Sequence, residues 1–356
     1  MSSVYLFAID RRASNADTAA AVDALWRAAG LAKAFTAHDL AALKLHVGEP
    51  GTKTFVRPVI AAALVRLIAA TGAEPFLTDT AVLYKSERDN GVGHARVAAV
   101  HGFGLERVGA PFIPADGLNG SDQCELPVNG RHFDTVAMAA AIVQARSMLV
   151  LSHATGHLGT GFGGALKNLG MGCSSRRAKL RQHHGQQPRI DPDACTGCAT
   201  CAERCPSGAI AVNGTAAIDA AECIGCGECI AACREGAVRF EWGIMGRELQ
   251  ERIVEHAAAL VRHKPGRIGY VTVVQAVTKD CDCMGMAQKP LLADIGILAS
   301  RDPVAIDQAV LDLVAERAGR TLESMSYPRL DATIQVRYAV ELGLGDPDYD
   351  LISVKS

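Results

Sequence analysis

Eight cysteines in two runs are the residues whose types and spacing most plainly carry chemistry. Cys195, Cys198, Cys201 and Cys205 follow C-x2-C-x2-C-x3-C, closed by Pro206, and Cys223, Cys226, Cys229 and Cys233 repeat that spacing 28 positions later. Three thiolates with two residues between neighbours each take one corner of a [4Fe–4S] cubane, and the fourth opens a turn that carries it to a second cubane. Small residues among them (Thr196, Gly197, Gly225, Gly227) let the backbone close over the inorganic core. The spacing therefore assigns Cys195, Cys198, Cys201 and Cys233 to one cluster and Cys223, Cys226, Cys229 and Cys205 to the other. Zinc sites usually pair two C-x2-C units across a longer gap, and disulfide frameworks belong to oxidising compartments, so neither accounts for two full runs of four. One departure is visible: Arg234 follows Cys233, where Pro206 follows Cys205.

Outside these runs, Cys281 and Cys283 stand in TKDCDCMG. Alternate residues of an extended chain point the same way, so both sulfurs face one volume. With Cys173, just beyond a glycine-rich stretch, they make a candidate three-thiolate site with an open position, suited to a third iron–sulfur cluster or to zinc. The alternative is three unrelated buried thiols, which is how the isolated Cys124 reads. The stretch GHLGTGFGGALKNLGMGC sets Gly159, Gly161 and Gly164 in a G-x-G-x-x-G pattern, with Gly163 beside them, after a strand and before a helix. Its turn is too long for a tight dinucleotide bend, and no acid follows about 20 residues on to hold a ribose. It is a candidate anion-binding loop at a helix N-terminus, or else a loop packed closely on the sheet. Lys44, His46, Asp79, His153, His157 and Lys167 fall at or near expected strand ends, where α/β folds gather ligand groups, and are the candidate catalytic residues.

These groups need a scaffold, and hydrophobic periodicity supplies one. VYLFAI, ALKLHVG, EPFLTDT and MLVLSH read as strands, with helices over DTAAAVDALWRAAG, RPVIAAALVRLIAATG and DTVAMAAAIVQARS, and a looser region at residues 86–131. Past the cysteines come the amphipathic helix RELQERIVEHAAALVRH, strands IGYVTVVQAV and ADIGILAS, the helix DPVAIDQAVLDLVAERAG with Asp302 as N-cap and Pro303 at its first turn, and a final helix and strand. Strand–helix alternation implies an α/β fold with a mostly parallel sheet. The reading is one α/β domain, residues 1–187 and 241–356, interrupted by a small two-cluster unit at residues 188–240.

At 356 residues with a formal net charge of −2, the chain shows no overall preference for polyanions or membranes. The start, MSSVYLFAIDRRAS, has neither a basic n-region nor an apolar h-region, and the longest apolar run is broken by Arg66, so a cytoplasmic protein is expected, with its twelve cysteines kept reduced or metal-bound. Between Thr135 and Ile190 there is no Asp or Glu, while Arg146, Lys167, Arg176, Arg177, Lys179, Arg181 and Arg189 are present. Such a stretch suits a small anionic substrate or an acidic electron-transfer partner, or is a solvated face balanced by acids elsewhere. Its single aromatic, Phe162, speaks against nucleic acid.

Residues 188–240 resemble a bacterial-type ferredoxin domain. KLHVGEPG, TDT, GHLGTGFGGALKNLGMGC, KDCDCMG and DIGILASRDPVAIDQA, spread over most of the chain, resemble the family called domain of unknown function 362, whose members are often described as iron–sulfur centre proteins. That resemblance implies iron–sulfur biochemistry on an α/β scaffold and no settled reaction. The expectation is an oxidoreductase in which two [4Fe–4S] clusters relay single electrons, from a ferredoxin- or flavodoxin-like partner or a reductase, to a site in the α/β domain. The alternative is an electron-transfer subunit, or a metallocentre-assembly or partner-binding protein, without chemistry of its own.

Overall fold

The computed structural model describes residues 1–183, 188–223, 227–239 and 245–355. The chain opens with β1 (Ser2–Phe7), α1 (Asn15–Ala28), β2 (Leu40–Leu45), α2 (Pro58–Ala69) and β3 (Glu74–Thr78). Helices α3 (Gly91–Ala98) and α4 (Leu105–Val108) follow, then β4 (Gln123–Pro127), β5 (Thr135–Ala139), α5 (Ala140–Gln144) and β6 (Ser147–His153). A short hairpin of β7 (Thr155–His157) and β8 (Gly161–Gly163) leads into α6 (Ala165–Gly170) and α7 (Arg176–Gln182). The cysteine-bearing segment holds β9 (Arg189–Ile190), α8 (Thr200–Glu203), β10 (Ile210–Asn213), β11 (Thr215–Ile218), α9 (Glu228–Ala232) and β12 (Val238–Arg239). The chain ends with α10 (Arg247–His263), β13 (Ile268–Val274), β14 (Gly296–Ser300), α11 (Pro303–Ala318), α12 (Leu322–Ser326), α13 (Ile334–Glu341) and β15 (Tyr349–Ser353).

Seven strands form the central sheet in the order β15-β1-β14-β13-β6-β2-β3. All neighbours run parallel except β14, which is antiparallel to both β1 and β13. The architecture is therefore mixed α/β with a mostly parallel sheet. Strand β6 shows why the central strands read as unbroken apolar runs. Met148 and Val150 enter the core shared with α10 and α11 (Val254, Ala257, Val304, Val310), while Leu149 and Leu151 enter the one shared with α1 and α2 (Leu25, Ile60, Leu64). Both faces are covered, so both sets of side chains must be apolar.

Caps follow the sequence signals. Ser14 accepts from the Asp17 N–H at 3.0 Å to start α1, and Asp302 accepts from Val304 and Ala305 at 2.8 and 3.0 Å to start α11. The helix expected over residues 134–147 is a correction. Its first part is β5, whose backbone pairs with β4 from Thr135 to Ala139, and only Ala140–Gln144 is helical. Pairing with a neighbouring strand outweighs the local helix preference of alanine there. The region expected to be loose, 86–131, contains α3, α4 and β4.

The cysteine segment builds its own small core from Ile210, Ala216, Ile230 and Val238 with Cys201 and Cys229, and Leu83 and Leu180 of the α/β body complete it. Gly227, at the start of α9, lies against the Leu180 side chain, where a Cβ would be 2.9 Å from its methyl carbon. At the root of the segment, the Arg252 guanidinium of α10 donates to the carbonyl of Arg181 in α7 at 2.8 Å. The departing and returning chain are thus held together.

Candidate functional site

Parallel pairing of β2, β3, β6 and β13 brings their C-terminal ends to one edge of the sheet. A cavity of about 470 Å³ opens there. Lys44, His46, Asp79, His153, His157 and Lys167 all line it, as do Gly163 and Gly164. The ends of β2, β3 and β6, the β7 hairpin strand and α6 thus bring together six polar residues scattered over 124 positions of sequence. Arg88, Lys179, Asn168, Tyr84 and Asp282 also line the cavity and were not singled out as catalytic candidates. Lys179 lies in the acid-free stretch and Asp282 between two flagged cysteines, so both carried a signal, whereas Arg88 sits in the region read as loose.

The cations differ in how fully they are engaged. Lys44 Nζ donates to Asn168 Oδ1 at 2.7 Å and pairs with Asp79 Oδ1 at 3.0 Å. Burial alone would raise the Asp79 pKa, but Lys44, His94 and Arg88 together hold it well below the usual carboxylate range. Lys179 donates to Thr80 Oγ1 at 2.5 Å and to the Ala81 carbonyl at 2.6 Å, and burial brings its pKa down to about 8. Arg88 pairs with Glu49 at 3.5 Å and meets His46 Nε2 at 2.7 Å. Burial first, and the Arg88 charge second, keep His46 well below the ordinary histidine range, hence neutral. Lys167 is the exception. Burial, then the charges of Lys44 and Lys179, lower its pKa to about 8, and among the described residues no hydrogen bond or ion pair engages its ammonium.

The glycine-rich stretch does not act as the expected open anion site. The first N–H groups of α6 already have an acceptor: the side chain of Asp307 of α11 accepts from Ala165 N at 2.7 Å and Leu166 N at 2.9 Å. A Cβ on Gly164 would collide with that carboxylate, which explains the glycine. Gly161 adopts φ +74° against Ala332, and the Gly159 carbonyl accepts from Gly246 N at 2.9 Å, so both serve packing and neither lines the cavity.

The expected three-thiolate set does not assemble either. Cys173 is buried in the core, its thiol directed to the Asn168 carbonyl at 3.5 Å and its pKa pushed up to about 12 by burial. Cys281 and Cys283 do face one volume, and they are joined to each other as a disulfide. Both line the cavity with His157, and the donor atoms of the three lie within 4.8 Å of one another. His153 is committed elsewhere: Nδ1 meets Asp282 Oδ2 at 2.7 Å and Nε2 meets the Gln275 carbonyl at 2.8 Å. Burial opposes its protonation, but Asp282 and the Gln275 carbonyl raise its pKa, so His153 clamps the segment between the two cysteines.

In the cysteine segment, Cys195, Cys198, Cys201 and Cys233 ring one small hollow, the four that the spacing assigned to a common cluster. Backbone N–H groups of Ala216 and Ala237 point at the sulfurs of Cys195 and Cys233 at 3.4 and 3.3 Å, donors of the kind that tune an iron–sulfur centre. Cys198 is exposed. Of the second set, Cys205, Cys223 and Cys229 are described, and Cys226 lies outside the described residues. Leu83 belongs both to the core around these cysteines and to the cavity wall.

A protein-family model described as "Domain of unknown function (DUF362)" matches residues 41–312. No curated protein matches the chain. Among solved structures it is similar to the lactate racemase apoprotein from Thermoanaerobacterium thermosaccharolyticum, with 12% identity and a TM-score of 0.44 over 89% of this chain. The chain spans 58% of that protein's length. Among the described residues, no helix is long and apolar enough to cross a membrane.

Proposed function

The chain belongs to the DUF362 family, whose description names no reaction, and we propose that this member is a cytoplasmic iron–sulfur oxidoreductase that reduces a small anionic substrate in the α/β cavity. Cys195, Cys198, Cys201 and Cys233 would hold one [4Fe–4S] cluster and Cys223, Cys226, Cys229 and Cys205 the other, in a ferredoxin-like unit at residues 188–240. Such clusters supply low-potential one-electron transfer. The four sulfurs that the spacing assigns to the first cluster ring one small hollow, which is the arrangement such a cluster needs. Two full runs of four cysteines are also unlike the paired C-x2-C units of a zinc site.

The observation that carries the reading is the double membership of Leu83, which packs with Cys201 and Cys229 on one side and lines the cavity on the other. Exposed Cys198 marks where a redox partner protein would approach, and the contact through Leu83, Leu180 and Gly227 leads inward. In the cavity, the unengaged Lys167 ammonium binds the anion, while Lys44 and Arg88, tied to Asp79 and Glu49, fix the shape around it.

Anaerobic metal analysis and EPR of the dithionite-reduced protein test the reading. About eight irons per chain are expected, four per cubane, and the signal of the first cluster should be lost in Cys201→Ala. Zinc in place of iron would refute it. A second reading, an electron-transfer subunit without chemistry of its own, is favoured by the exposure of Cys198. Anion titration separates the two: substrate-sized carboxylates or phosphates should bind the wild type and bind Lys167→Gln roughly 10-fold or more weakly, the worth of a charged hydrogen bond.

A further inference from the structure

The Cys281–Cys283 disulfide lies in the wall of the cavity, and electron delivery to an anion does not by itself require it. Its segment is held from several sides. Asp282, between the two cysteines, is bound by His153 at 2.7 Å and by the Thr54 hydroxyl at 3.2 Å. Its carbonyl accepts from Glu49 N at 2.9 Å, and the Met284 carbonyl accepts from Thr52 Oγ1 at 2.9 Å. On the opposite side, Gly156 donates to the Thr278 carbonyl at 2.8 Å, and a Cβ at 156 would collide with the Lys279 carbonyl. This glycine lets β7 lie directly on the cystine segment and sets His157 beside the two sulfurs. The loop also fixes the tautomer of His157: Nδ1 accepts the N–H groups of Gly159 and Thr160 at 3.1 and 3.2 Å, so the ring proton is on Nε2.

An Nε2–H fixed in this way is a hydrogen-bond donor and a poor metal ligand, because coordination needs a bare nitrogen. We infer that Cys281 and Cys283 are a two-electron redox pair of the cavity, cycling between disulfide and dithiol, with His157 Nε2–H stabilising the thiolate that forms when the bond opens. The inference rests on the reading of residues 188–240 as an iron–sulfur unit. In the reductive half, the S–S bond breaks and two electrons arrive in turn from a one-electron donor of the iron–sulfur class. One proton is taken from solvent, leaving one thiol and one thiolate. In the oxidative half the pair gives two electrons to a bound substrate, the bond re-forms and the proton is released. The pair thereby converts single-electron supply into the two-electron delivery that reduction of most organic anions requires.

The test is made on iron-loaded protein under anaerobic conditions, before and after reduced methyl viologen, with iodoacetamide trapping and mass measurement of the peptide that carries both cysteines. The expected result is a closed, unalkylated peptide before reduction and two added groups after it. His157→Phe should slow alkylation of the released pair roughly 10-fold by removing the donor to the thiolate, and His157→Gln, which keeps an N–H, should restore much of the rate. Iron is counted in the same samples, so protein without iron refutes the iron–sulfur reading on its own account. Iron-loaded protein whose cystine stays closed under viologen yet opens with dithiothreitol overturns the inference. So do Cys281 and Cys283 emerging as free thiols that hold a zinc ion lost in Cys281→Ser.

Discussion

Replacing Asp307 by Asn tests how the glycine-rich loop and Lys167 are held. The Asp307 carboxylate caps α6 through Ala165 N and Leu166 N, and burial pushes its pKa up to about 7 from the usual 3.8. Between those two values the unfolded chain has released the proton while the folded protein still holds it. The unfolded state therefore gains with rising pH, and stability falls across that window. The slope is about 1.4 kcal/mol per pH unit, so between about pH 5 and about pH 7 the wild type loses roughly 2–3 kcal/mol through this group alone. In Asp307→Asn no proton is released. The amide carbonyl still accepts one N–H, and the other goes unmet at about 1–3 kcal/mol, whatever the pH. The variant should be the weaker protein near pH 5 and should draw level with or pass the wild type near pH 7. Denaturant unfolding of both proteins at matched pH measures this, because acid effects common to the two cancel. A stability difference that stays constant across the window would show that Asp307 is ionised throughout, and the argument from burial would fail.

Lys44→Met should destabilise the protein by about 3–5 kcal/mol, because the Asp79 carboxylate would stay buried with, among the described residues, Arg88 at 3.9 Å and His94 at 3.5 Å as its remaining charge partners. Adding Asp79→Leu should recover much of that loss in the same unfolding assay, whereas an unrelieved deficit would mean that Lys44 acts through packing. Gly156→Ala places a methyl group against the Lys279 carbonyl and should cost about 1–3 kcal/mol, moving β7 off the cystine segment. A lowered Tm together with slower alkylation of the reduced Cys281–Cys283 pair is the expected signature, and an unchanged rate would separate His157 from the sulfurs.

The legible part of the site was the part that topology fixes. Parallel strands end on one side, so Lys44, His46, Asp79 and His153 could be grouped from strand ends, and one cavity gathers them with His157 of the β7 hairpin and Lys167 of α6. Residues brought in by loops, such as Arg88, and partners chosen by tertiary packing, such as Asp307 for α6, left no periodic trace. The glycine pattern showed that something approaches the backbone closely and did not reveal that it is a carboxylate of the protein itself. The placement of Cys173 was hidden for a similar reason: which face a thiol takes after a short helix depends on turn geometry that spacing does not encode. The reversed direction of β14 was equally invisible, since an apolar run reads the same in either sense.

The clasp between Arg252 and the Arg181 carbonyl has a consequence for the chain as a modular object. It joins α7, which precedes the cysteine-bearing segment, directly to α10, which follows it. The described residues of that segment supply no strand to the central sheet, so the strand order does not depend on this cassette. A body without the cassette would still have to hide Leu83 and Leu180, which the cassette now keeps from water. Relatives that dispense with it should carry polar residues at those two positions, or a different lid over them.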